Sequence, residues 1–95
     1  IPHADVVIVN PTHYAIALVY KPDKNDAPIV VAKGQGYIAL RIKKEAAEHH
    51  ITIVENKPLA QALYDTTEIG QAIPPELYRA VAEVLAYVYS LKQEI

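Results

Sequence analysis

Apolar residues fall along this chain in two kinds of pattern. Dense β-branched runs at residues 4–9 (A-D-V-V-I-V), 14–20, 29–32 and 51–54 are short and bounded by turn formers, so they predict four buried strands. Asn10-Pro11-Thr12-His13 separates the first two, and residues 21–28, with two prolines and three Asp/Asn, predict a surface loop. Gly34 and Gly36 end the third run. Elsewhere the apolar residues are spaced for helices. Over 37–49, Ile38, Ala39, Ile42 and Ala46 share one face, with Arg41, Lys44, Glu45 and Glu48 on another. Pro58 opens a short helix with Leu59, Ala62 and Leu63 as its apolar side, and Pro74-Pro75 start the longest helix, from about 76 to 91. Strand–helix–strand over 29–54 predicts a right-handed parallel crossover. The expected fold is α/β: one domain with a small mixed four-stranded sheet flanked by three or four helices.

Ninety-five residues suit one domain, because two would leave neither half enough buried surface. Nine Lys plus Arg against eleven Asp plus Glu argue against nucleic acid, whose phosphates are bound by clustered cations. The absence of cysteine excludes disulfides, thiolate nucleophiles and sulfur-ligated metal. No apolar run approaches the roughly twenty residues that cross a bilayer. With no methionine, the chain is expected to be a piece of a longer polypeptide, any anchor lying upstream of Ile1.

The residues with the most chemistry are Asn10-Pro11-Thr12-His13. One reading is a turn, with Asn at its first position and Pro at its second. The other is backbone scission. In most Asn-X pairs the following backbone nitrogen attacks the side-chain amide, but Pro11 has no N–H to do so. The reverse attack remains: the Asn10 side-chain nitrogen adds to its own main-chain carbonyl, closes a succinimide and expels the Pro11 nitrogen. A tight turn between fixed strands would hold the reacting atoms in line, and strain in the peptide unit would help. His13 would protonate the departing nitrogen or assist the amide, and Thr12 would orient the carbonyl.

N-P-T-H between two apolar strands, followed by A-P-I-V-V-A-K-G, E-N-K-P-L-A-Q-A-L-Y and I-P-P-E-L-Y-R-A-V-A-E-V-L-A-Y-V-Y, resembles the cytoplasmic domain of the FlhB/YscU/SpaS family of type III export proteins, and its flagellar branch more than its injectisome branch. The resemblance spans nearly the whole chain. It implies spontaneous cleavage between Asn10 and Pro11, a 1–10 piece that stays bound to 11–95, and a freed loop that changes export from rod and hook to filament components. It implies transmembrane helices upstream and a place at the cytoplasmic face of the bacterial inner membrane. The implied partners are early export substrates, the hook-length control protein and other export-gate subunits, with no cofactor and no metal.

The last helix carries an apolar sector of roughly 220°, against the ~100° that one core contact requires. Either it is wedged between two layers or it binds a partner. At 100° per residue, Arg79, Glu83, Ala86 and Ser90 hold the opposite side. The resemblance implies a hydrophobic pocket for the gate-recognition motif of early substrates at Ala27, Pro28, Ala82 and Leu85; Leu85→Arg is expected to abolish peptide binding and spare the fold.

Other features suggest rival chemistry. Gly34-Gln35-Gly36-Tyr37-Ile38-Ala39 fits G-x-G-x-x-A between a strand and a helix, with Glu55 about twenty residues on, the pattern of a dinucleotide-binding fragment. A turn made by the glycines is the plainer reading. His49 and His50 point about 100° apart on a helix and cannot chelate one ion. Lys33, Arg41, Lys43 and Lys44 read as a solvated face, or as a contact for acidic neighbours. No Ser-His-Asp or paired-carboxylate spacing supports a turnover enzyme.

Overall fold

The computed structural model describes residues 3–11 and 13–93. Its elements are β1 (Val6–Asn10), β2 (Tyr14–Val19), β3 (Ile29–Gln35), α1 (Tyr37–Glu48), β4 (Ile53–Glu55), α2 (Lys57–Thr66) and α3 (Tyr78–Gln93), the last preceded by a single 3-10 turn, Pro75–Leu77. The sheet order is β3-β2-β1-β4. β2 runs antiparallel to both β1 and β3, and β4 runs parallel to β1. The expected α/β domain with a mixed four-stranded sheet is therefore found, with three helices.

Alternation along the strands divides the core into two. Val6 and Ile8 of β1, with Ile16 and Leu18 of β2, face α2 and α3. Val7 and Val9, with Ala15 and Ala17, face Ala39, Ile42 and Ala46 of α1. Because side chains alternate across a strand, residues that read as one continuous apolar run serve two cores, and the sheet is covered on both sides. β1 lies inside the sheet, with Val6, Val7 and Ile8 fully buried.

Several expected boundaries move. β1 runs from Val6 to Asn10 rather than over 4–9, because Asn10 pairs with Tyr14 to close the β1–β2 hairpin. β3 continues past Ala32 to Gln35: Gly34 pairs with Ala15 and Gln35 with Tyr14, so the ladder carries the chain through the glycine. α1 ends at Glu48, one residue short of 49, and β4 covers Ile53–Glu55 rather than 51–54. On α2 the buried set is Leu59, Ala60 and Leu63, with Ala60 in place of Ala62. Ile38, expected on the buried face of α1, is 48% exposed. The 29–54 crossover does join parallel strands, yet β3 and β4 lie at opposite edges with β2 and β1 between them. The first half of β3 also bonds to residues 70–72: Val30 N–H donates to the Gln71 carbonyl and Gly70 N–H to the Val30 carbonyl. That pairing has no period-2 signal to announce it.

Candidate functional site

Asn10 ends β1 in a ladder with β2, and a three-residue connection returns the chain at Tyr14. The His13 backbone N–H donates to the Asn10 carbonyl at 2.9 Å. That bond closes a turn, as the plainer reading expects, and it also aims a donor at the one carbonyl that side-chain attack would convert to an oxyanion. Both sides of the Asn10–Pro11 bond are tethered. Upstream, the Asn56 N–H holds the Val9 carbonyl at 3.0 Å. Downstream, Lys43 Nζ of α1 donates to the Pro11 carbonyl at 3.2 Å, and Gly36 N–H at the start of α1 donates to the His13 carbonyl at 3.2 Å. Tyr14 stacks on Tyr64 of α2, centroids 4.6 Å apart, and Lys33 Nζ sits 4.8 Å above the Tyr64 ring.

Asn10 and Pro11 are half-buried and His13 is exposed. Thr12 lies outside the described residues. Among those described, the only non-glycine residue with positive φ is His50, at 59°, so Asn10, Pro11 and His13 carry no left-handed strain. Position and hydrogen bonding are what the turn supplies.

The second site lies on the opposite face from α1. A cavity of about 340 Å³ is lined by Tyr20, Asp26, Ala27, Pro28, Tyr78, Ala82, Leu85, Ala86 and Tyr89. Ala27, Pro28, Ala82 and Leu85, the four residues for which the resemblance implies a pocket, all line it. The wide apolar sector of α3 resolves into two adjacent stripes: Val81, Val84, Leu85 and Val88 pack into the core, while Tyr78, Ala82, Ala86 and Tyr89 line the cavity. Ala86, expected on the far side of the helix, lies one turn beyond Ala82 on the cavity stripe. Leu85 is 4% exposed and belongs to both stripes, so Leu85→Arg would bury a charge and harm the fold. The expectation that it spares the fold is corrected; exposed Ala82 is the clean position. Burial, then the Asp5 carboxylate, then Tyr20 raise the Tyr89 phenol above its usual 10.0. The Asp5 carboxylate accepts from the Tyr20 N–H at 2.6 Å, which ties the start of β1 to the cavity wall.

The dinucleotide pattern dissolves in three dimensions. Such a site needs the glycine-bearing strand beside the next parallel strand, whereas two strands intervene here and Glu55 lies on the far edge. Gly36 caps α1 with φ 57°, a conformation suited to glycine. Gly34 admits Ile38, whose side chain would collide with any Cβ there. Two of the four clustered cations are not simply solvated: Lys43 holds Pro11, and Lys33 donates to the Tyr64 carbonyl at 2.8 Å.

A model described as the FlhB HrpN YscU SpaS family matches residues 1–88. The chain belongs to this family. Within it, the flagellar biosynthetic protein FlhB of Bacillus subtilis (strain 168) is 58% identical over 95 residues, 100% of this chain and 26% of that protein. FlhB of Salmonella typhimurium is 58% identical over 93 residues, 98% of this chain and 24% of the relative. The chain thus spans about a quarter of the curated relatives it matches. The crystal structure of the cytoplasmic domain of FlhB from Shewanella putrefaciens superposes with a TM-score of 0.93 at 49% identity, covering 97% of this chain and 70% of that one. A family member further off, the EscU C-terminal domain solved with an Asn-to-Ala substitution, gives 0.89 at 33% identity over 92% of this chain and 87% of its own.

Proposed function

We propose that this domain is the cytoplasmic, self-cleaving part of a flagellar type III export protein, anchored in the bacterial inner membrane by helices outside this sequence. The chain severs itself once between Asn10 and Pro11. The Asn10 side-chain nitrogen attacks the Asn10 carbonyl carbon, the C–N bond to Pro11 breaks, and the amide proton passes to the Pro11 nitrogen. The products are a C-terminal succinimide at residue 10 and a secondary amine at residue 11. Supporting this reading is the donor aimed at the Asn10 carbonyl, in a turn whose two flanks are held by different elements. EscU structures have been solved with an Asn, and separately the Pro that follows it, replaced by Ala, which fits a site of interest at such a pair.

The pieces stay together because β1 lies between β2 and β4 and buries Val6, Val7, Ile8 and Val9, at roughly 1.5–3 kcal/mol for each such side chain. Scission therefore alters the loop and leaves the sheet intact, which suits a change in export specificity from rod and hook to filament components. The apolar cavity receives a short hydrophobic segment of an early export substrate, and the hook-length control protein and other gate subunits are the remaining partners. The flagellar branch is favoured over the injectisome by 58% identity to FlhB against 33% to EscU.

Intact mass after denaturation tests the central step. Wild-type protein should resolve into residues 1–10 and 11–95, and Asn10→Ala should remain one species with an unchanged circular dichroism spectrum. A wild-type chain that stays whole through days at 37 °C refutes the reading.

A further inference from the structure

We propose that Lys43 is a positioning residue for the scission at Asn10–Pro11, an inference that rests on the self-cleavage reading above. Lys43 is thirty-two positions from Pro11 in sequence, yet its ammonium donates to the Pro11 carbonyl at 3.2 Å in a half-buried setting. The two residues on either side of the breaking bond are therefore held by different elements. Asn10 is held in β1 by its pairing with Tyr14, and Pro11 is held to α1 by Lys43. Gly36 N–H on the His13 carbonyl is a second tie between α1 and the same turn, so the helix grips the turn at both ends.

This grip acts on the leaving group in two ways. It fixes the Pro11 carbonyl, and the pyrrolidine ring, whose φ is locked, passes that constraint back to the Pro11 nitrogen, so the leaving group is held in place while the Asn10 side chain attacks. A full positive charge on the Pro11 carbonyl also draws electron density from the prolyl unit, which makes its nitrogen easier to expel. Among the described residues, the Lys43 ammonium bonds to the Pro11 carbonyl and not to the nucleophile or the scissile carbonyl. Its neighbours on α1, Arg41 and Lys44, line a different, outward-facing depression on the helix and have no bond to the turn among the described residues. The role thus falls to Lys43 and not to the basic cluster as a whole.

The test follows the cleavage rate of newly made chains, produced in a cell-free reaction and sampled over time by intact mass. Lys43→Met keeps the aliphatic stem and removes the donor and charge; its rate should fall about tenfold, inside the roughly hundredfold that a misplacement of about 1 Å can cost. Lys43→Arg should restore the rate to within about twofold, because the guanidinium keeps both charge and donor. Lys44→Met should leave it unchanged. Melting temperatures taken on each variant in an Asn10→Ala background, where no chain is cut, separate loss of fold from loss of positioning; a slow but stably folded Met variant supports the proposal. Wild-type speed for Lys43→Met, or equal slowing by Arg and Met, overturns it. Failure of wild-type protein to cut at all would strike the self-cleavage reading instead.

Discussion

Gly34→Ala puts the packing of α1 on β3 to a quantitative test. A Cβ at Gly34 would stand 2.6 Å from the Ile38 Cβ and closer still to its Cγ2, where ordinary carbon contacts need about 3.5–4.0 Å. The Ile38 Cβ is bonded to the helix backbone, so no rotamer change moves it away, and the start of α1 must retreat from the strand. Overpacking of this kind costs about 1–3 kcal/mol. At roughly 4–8 °C per kcal/mol for a domain of this size, a cost of about 2 kcal/mol lowers the melting temperature by roughly 8–16 °C. Thermal unfolding followed by far-ultraviolet circular dichroism reads it directly. Ile38→Ala in the Gly34→Ala background should recover only part of the loss, since it removes Cγ2 and keeps Cβ. The Gly36 N–H bond to the His13 carbonyl sits at the point of retreat, so hydrogen exchange at Gly36 should accelerate as well. A melting temperature within about 2 °C of wild type would show that the glycine is not there for packing, and would reopen its reading as part of a ligand loop.

Ala82→Arg, on the exposed rim of the cavity, should leave the melting temperature within about 2 °C while abolishing NMR shifts induced by a short apolar peptide; Leu85→Arg should lower stability outright, by about 3 kcal/mol or more, because the charge enters a buried position. Tyr89 has a raised phenol pKa in the fold, so the neutral form is favoured: its contribution to stability is fully present below pH about 10, the unfolded value, and is lost as pH climbs through the raised folded value. Urea unfolding between pH 8 and 12 should show a steeper alkaline decline for wild type than for Tyr89→Phe, and parallel curves would refute the assignment.

Much of this molecule was legible in the order of its residues. Short β-branched runs between turn formers, and apolar residues spaced at helical intervals, predict the four strands and three helices, since both signals are local and periodic. The chemistry proposed for Asn10-Pro11 also starts from the residue order, because it rests on a covalent fact, the missing N–H of proline. Even the breadth of the apolar sector on α3 announced more than one contact.

What the residue order left open depends on distance in space. Which strands become neighbours decides whether a glycine pair next to a helix is a nucleotide loop or a packing device; the order β3-β2-β1-β4 makes it the latter. The division of β1 between two cores, the pairing of residues 70–72 with β3, and the separation of Leu85 from Ala82 as core and rim all follow from layers closing on one another. Lys43 is the sharpest instance. Along the chain it is one cation in a basic stretch; only the crossing of α1 over the sheet brings its ammonium to the Pro11 carbonyl. Periodicity and bond chemistry are written in neighbouring residues, whereas a contact across thirty-two positions exists only once the sheet and helix have packed.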